Sequence, residues 1–199
     1  MPSAIASHPM PLVLASRNPG KLREFQALWD GIPHWTLTLL PEGEELPETG
    51  TTFKANAIEK AQTAARWLGQ WALADDSGLC VEVLGGAPGV YSSRYGRTDQ
   101  ERIERLLQEL GDMEHRAAYF AAVIAVCDPT GTVRAVAEGI CQGEISRIPK
   151  GQDGFGYNPI FYVPESGLTF AEMSAAQKHQ LSHRGRAWRV LKPQLLALP

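Results

Sequence analysis

The stretch RAAYFAAVIAVCDPTGTVRAVAEGICQ, residues 116–142, decides the fold class. Arg116 to Cys127 is dense in alanine, valine, isoleucine and aromatic residues and reads as one long buried strand. DPTG, residues 128–131, is turn chemistry: Asp bonds nearby backbone, Pro fixes φ, and Gly accepts a positive one. Val133 to Gln142 then returns as the hairpin partner. The apolar run Ala117 to Cys127 is too short to cross a bilayer as a helix, which needs about 20 residues. An antiparallel hairpin therefore sits in the middle of the chain.

Working outward, Pro11 to Ala15 (PLVLA) reads as a short strand, SRNPG as a turn, and Lys21 to Trp29 as a helix closed by Gly31 and Pro33. Trp35 to Leu40 alternates as a strand does, and PEGEELPETG (41–50) is a polar loop. Thr51 or Thr52 caps a helix to about Leu68, with Ala57, Ala61, Ala64, Ala65 and Leu68 on its buried side. Trp71–Ala74 and Leu79–Leu84 are extended, on either side of Asp75-Asp76-Ser77-Gly78. After the turn-rich Gly85–Gly89, Thr98 caps an amphipathic helix to Leu110. GQDGFGYNP (151–159) is a glycine-rich loop, and Ser174 and Ser182 cap two last helices, the second ending near Leu196.

This pattern is α/β: a mixed sheet flanked by helices, with a lobe around residues 112–165 between flanking helical parts. One domain over residues 11–199 is expected, with 1–10 as a loose extension.

Composition narrows the function. With 44% hydrophobic and 21% charged residues the chain is ordinary globular protein, so disorder, collagen and coiled coil are excluded. The net charge of −3 argues against a general nucleic-acid binder. MPSAIASHPM has no basic segment followed by a long apolar core, so neither a secretory signal nor a membrane partner is expected. Cys80, Cys127 and Cys141 are far apart with no CxxC pair, and read as buried free thiols in a reducing cytoplasm. No histidine pair has HxxxH spacing, which argues against a zinc hydrolase.

Four clusters can carry chemistry. Ser16-Arg17-Asn18-Pro19-Gly20-Lys21 lies between a strand and a helix, where backbone N–H groups and a lysine make an anion site. It is not a Walker A loop, and it would serve equally as a plain capped turn. Asp75 and Asp76 are adjacent, so in extended backbone their side chains point to opposite faces, one towards a site and one supporting it. With Glu48 of the acidic loop, one of them would suffice for Mg²⁺, which takes one or two carboxylates plus water and phosphate oxygens. DDSG alone is also Asx-turn chemistry. Asn56 and Lys60, four apart on one helix, share a face that either completes a phosphate site or forms an exposed polar stripe. Phe155-Gly156-Tyr157-Asn158 offers an aromatic face between glycines, and Lys178, His183 and Arg184 are hydrogen-bond donors. Together they suit a base with carbonyl oxygens such as a 6-oxopurine; separately they read as core packing and surface charge.

In this order, LASRNPGK (14–21), ETGTTFKANAIEKA (48–61), ADDSGLCVEVLGGAPGVYSSRY (74–95), GFGYNPIF (154–161) and KHQLSHRG (178–185) resemble the Ham1-type inosine triphosphate pyrophosphatase family. The resemblance implies an elongated α/β fold with two lobes around a nucleotide-binding cleft, and a homodimer. It also implies Mg²⁺-dependent hydrolysis of ITP, dITP or XTP to the monophosphate and pyrophosphate. By position, Ser16 to Lys21 would bind the triphosphate, and Asp76 would be the general base. Glu48 and Asp76 would hold the metal, and Ser77 would touch substrate. Phe155 to Asn158, Lys178, His183 and Arg184 would form the base pocket, with Lys60 and Arg94 near the phosphates. The family usually has FGYDP where this chain has Asn158, and many relatives have a second acid where it has Pro47. A Maf-type pyrophosphatase acting on other nucleotides and a non-catalytic nucleotide-binding module are the competing readings.

Overall fold

Strand β1 (Met10–Leu14) pairs in parallel with β2 (Trp35–Leu39) on one side and with the start of β3 (Trp71–Val81) on the other. From β3 onward every pairing is antiparallel, through β4 (Ala117–Cys127), β5 (Val133–Ile145), β6 (Phe161–Val163) and β7 (Leu168–Thr169). The order is β2-β1-β3-β4-β5-β6-β7 in one mixed sheet. This computed structural model describes residues 9–43 and 45–199. Most of the extension expected over 1–10 lies outside the described residues, and Met10 already belongs to β1. Residues 112–165 supply β4, β5 and β6 of this same sheet.

Strand periodicity divides the core. Leu12, Leu14 and Leu73 pack with Phe25 of α1 (Pro19–Leu28) and with Trp188, Leu191 and Leu195 of α5 (His183–Leu196). The alternate residues Val13, Ala72 and Ala74 meet Ala57, Ala61, Ala64 and Ala65 of α2 (Phe53–Leu68) on the other face. Small side chains on both partners bring that helix close to the sheet. Further along, Leu79, Val81, Phe120 and Phe161 pack with Ile103, Leu106 and Leu110 of α3 (Asp99–Leu110). A Cβ at Gly139 of β5 would run into the backbone of α5, so glycine there sets how closely α5 lies on the sheet.

The expected caps are present. Thr52, Thr98, Ser174 and Ser182 each accept a backbone N–H in the first turn of α2, α3, α4 (Ala175–Leu181) and α5. Other expectations are corrected. SRNPG is not a free turn: α1 starts at Pro19, whose missing N–H costs nothing there. DDSG is no turn either, because β4 pairs with it throughout and makes β3 one continuous strand. Residues 82–84, expected as extended, form a 3₁₀ turn, as does 89–94. β5 runs on to Ile145, and β6 and β7 are too short to leave a periodic signal.

One topological fact positions the site. β1 ends at Leu14, its last pairing with β3 being at Leu73. Beyond that point β3 has β4 on one side, and the chain turning from β1 into α1 on the other. Asp75, Asp76 and Ser77 lie in this stretch, at the carboxyl end of β1, where open α/β sheets place their ligand crevices.

Candidate active site

A cavity of about 400 Å³ opens at that point, within the size range of small-ligand sites. Ser16, Lys21, Glu48, Lys60, Asp76, Ser77, Phe155, Asn158, His183 and Arg184 all line it, although they come from across the whole chain.

On the α2 face of β3, Asp76 is buried. Lys60 Nζ donates to its Oδ1 at 2.8 Å, and Asn56 Nδ2 donates to its Oδ2 at 3.1 Å. The same ammonium reaches Glu48 Oε1 at 2.7 Å, and Arg94 holds the other Glu48 oxygen at 3.2 Å. Burial pushes the Asp76 carboxyl above the usual aspartate value against the pull of Lys60. Burial also pulls on Lys60, but Asp76 and Glu48 more than compensate and raise it, so it stays charged. Asn56 and Lys60 are therefore not an exposed stripe: both are buried, one helical position from the alanine face, and reach across to β3.

On the opposite face, Asp75 is completely enclosed. Lys21 Nζ lies 2.6 Å from its Oδ1, and Arg184 Nε donates to its Oδ2 at 3.0 Å. Arg184 also donates to Ser77 Oγ at 2.8 Å and pairs with Glu24, which in turn holds Lys178 at 2.9 Å. Burial alone would raise both acids. Arg184 overcomes it in each case, keeping Asp75 far below the carboxylate range and Glu24 at about 2. Burial lowers Lys21 against the pull of Asp75.

The phosphate-loop expectation needs one correction. Asn18 Oδ1 accepts from Gly20 N at 2.8 Å and Lys21 N at 3.2 Å, so its own cap occupies two of the amides read as an anion site. Ser16 Oγ accepts from Asn18 N at 3.2 Å. Arg17 is exposed and donates to Gly43 O at 3.1 Å. Pro19 and Arg94 line neither this cavity nor the one beside it. Gly20 lies under the Phe155 ring, where a Cβ would clash.

Phe155 forms a wall between the main cavity and a second one of about 280 Å³, lined by Gly20, Glu24, Phe170, Lys178 and Arg184. Lys178 Nζ is 5.8 Å from the Phe155 ring centre. The phenol of Tyr157 donates to Ser92 O at 3.0 Å, and Gly156 N donates to Asp99 Oδ2 at 2.6 Å, fixing two adjacent residues of the loop. His183 stacks on Phe120, ring centres 4.7 Å apart, and burial drives its pKa down to about 3, so it is neutral. His183 Nδ1 and Asn158 Nδ2 are buried without a hydrogen-bond partner.

Sequence reasoning missed Glu24, and it took Asp75 only as a supporting acid. Glu24 stands three residues after Lys21 on α1, and that spacing was a usable signal.

Two carboxylates, Glu48 and Asp76, converge on one ammonium at 2.7 and 2.8 Å. Such an oxygen pair suits a hard cation that keeps water and phosphate ligands. Among the described residues no group of three or more His, Cys, Asp or Glu could hold a metal. Among those residues, too, no helix is long and apolar enough to cross a membrane.

The model of the Ham1 family matches residues 12–194. The dITP/XTP pyrophosphatase of a Nostoc species is 54% identical over 187 residues, covering 94% of this chain and 95% of that protein. That of Thermosynechococcus vestitus is 54% identical over 182 residues, covering 90% and 92%. Among solved structures, the Staphylococcus aureus Ham1 protein superposes with a TM-score of 0.83 at 40% identity, covering 94% of this chain and 98% of that one. A HAM1 protein from Coxiella burnetii gives 0.83 at 42%, covering 95% and 100%.

Proposed function

Because this chain belongs to the Ham1 family, we propose that it hydrolyses non-standard purine nucleoside triphosphates, namely ITP, dITP and XTP, to the monophosphate and pyrophosphate. It is a hydrolase of the triphosphate anhydride bond. The observation that carries this reading is the pair of ion clusters on the two faces of β3, both opening into one cavity.

Asp76 accepts the proton of the attacking water, and a pKa raised by burial suits a base better than an ordinary aspartate. Lys21, Ser16 and the start of α1 hold the phosphates. Asn18 must yield the two amides it caps if a phosphate oxygen is to take them. Charge supports a metal requirement. Lys21, Lys60, Arg94, Lys178 and Arg184 face Glu24, Glu48, Asp75 and Asp76, five cations against four acids, so the ion pairs leave only about one positive charge for a triphosphate of about −4. Mg²⁺ at Glu48 and Asp76 would supply that charge and stabilise the leaving pyrophosphate. Phe155, Asn158, His183 and Arg184 receive the base in the main cavity, Lys178 approaches it from the cavity behind Phe155, and Ser77 orients Arg184 beside it. The same reading has a homodimer in the cytoplasm, with residues 11–199 as one working domain.

The test is pyrophosphate release with Mg²⁺ and ITP, dITP, XTP, ATP, GTP or dTTP in turn. Turnover of the first three well above the others is expected. Preference for dTTP would favour a Maf-type activity, and no turnover of any would leave a binding module. Light scattering and cell fractionation test the dimer and the compartment.

A further inference from the structure

Asp75 touches two working side chains and no part of the cavity. Lys21 and Arg184 both line the cavity; Asp75 lies beneath them, with its side chain fully enclosed. Its two oxygens are divided. Oδ1 faces Lys21 at 2.6 Å, and Oδ2 accepts from Arg184 Nε at 3.0 Å with Nη2 at 2.9 Å. The Asp75 carbonyl oxygen also accepts from Lys21 Nζ at 3.2 Å. One buried carboxylate is thus the common counter-ion of a lysine in the first turn of α1 and an arginine in the first turn of α5. No ligand in the cavity can reach it except through those two cations.

We propose that Asp75 is a positioning residue that makes Lys21 and Arg184 act as one unit, so that recognition of the base and grip on the phosphates are linked. This rests on the reading above, in which Lys21 meets phosphate and Arg184 meets the base. The Asp75 side chain is enclosed and each of its oxygens faces a cation, so each cation fixes where the carboxylate sits for the other. The Lys21 ammonium has three donors, so it can meet a phosphate while still holding Asp75 Oδ1. When Lys21 is removed, Asp75 loses its Oδ1 partner and no longer holds Arg184 in one fixed place. When Asp75 is replaced, Arg184 keeps Glu24 and Ser77 but loses the carboxylate that faces its Nε and Nη2.

The consequence is specific. Lys21 and Asp75 do not line the second cavity behind Phe155, where Lys178 stands, yet both control discrimination between bases. The experiment measures kcat/KM for ITP and ATP in wild type, Asp75→Asn and Lys21→Ala. The ITP:ATP ratio is expected to fall about fivefold or more in each, beyond any common loss of rate. A ratio within about twofold of wild type in a folded variant overturns the coupling. Asp75→Asn removes a buried charge; if it does not fold, Lys21→Ala, whose residue is at the cavity edge, decides alone. Absence of ITP turnover in the wild type would instead defeat the functional reading, so the two failures are distinguishable.

Discussion

Asp75 and Asp76 are consecutive residues of β3 whose carboxylates serve opposite faces of the sheet: Asp75 binds Lys21 and Arg184, and Asp76 binds Lys60 and Asn56. The alternation of a strand alone produces this split. One substitution at each position should therefore give different results. Asp76→Asn should lower kcat by about 10²-fold or more while melting near wild type, since Lys60 keeps Glu48. Asp75→Asn should lower the melting temperature by roughly 5 °C or more, because it strips a partner from two buried cations. Calorimetry with steady-state kinetics separates them; a kcat for Asp76→Asn within a few-fold of wild type would remove it as base.

Much of this was legible in the sequence. The caps at Thr52, Thr98, Ser174 and Ser182, the alanine face of α2 and the central hairpin follow from local chemistry and periodicity. So did the opposite facing of Asp75 and Asp76. The partners did not. Nothing local says that Lys60 bridges Glu48 and Asp76, or that Glu24 ties Lys178 to Arg184, because those contacts span 12 to 160 residues. The burial of Asn56 and Lys60 was also hidden, since polar residues beside an apolar face look exposed until a carboxylate across the gap pairs with them.

Glu48 is the half-buried member of the cation-suited oxygen pair, so its loss should act on the metal more than on the fold. Glu48→Gln should raise the Mg²⁺ concentration for half-maximal activity by about tenfold, as expected when a ligating carboxylate is lost. Mn²⁺ binding followed by water relaxation gives the same answer without turnover. Unchanged Mg²⁺ dependence and unchanged Mn²⁺ affinity would take Glu48 out of the metal site.

His183 gives a pH dependence whose sign is fixed by burial. Its folded pKa is about 3 against an ordinary 6.5, so the unfolded chain takes up the proton first. Stability is then constant above about pH 6.5 and falls as pH drops from there towards 3. Glu24, held at about 2, adds a second loss that begins near the ordinary 4.5 and deepens towards 2. Of these two losses, only that of His183 acts between pH 7 and 5. His183→Phe keeps the stack on Phe120 and has no titrating group, so its melting temperature should fall less over that interval than the wild type's. Equal slopes would mean that His183 is protonated in the folded protein.

Arg184 should set the choice between inosine and adenine nucleotides. ITP and XTP carry a carbonyl at the purine 6-position, where ATP carries an amine. Arg184 has donors committed to Asp75, Ser77 and Glu24, which fix the plane of the guanidinium; Nη2 faces both Ser77 and Asp75, and Nη1 carries a further hydrogen. Lys178, held by the same Glu24, adds a second cationic donor. A carbonyl satisfies such donors, whereas an amine leaves them buried and unpaired at about 1–3 kcal/mol each, more where charged. Two mismatches amount to about 10²-fold or greater rejection of ATP. GTP shares the carbonyl, so its rejection must come from the 2-amino group. Asn158, whose buried NH₂ has no partner, would present a donor to a donor there, which an aspartate would not. Arg184→Ala should thus reduce the ITP:ATP ratio of kcat/KM by about tenfold or more while leaving the half-activating Mg²⁺ concentration within about twofold. The ITP:GTP ratio should move less. An unchanged ITP:ATP ratio would assign base reading to Lys178 and Asn158 and leave Arg184 as the strut between Asp75 and Glu24.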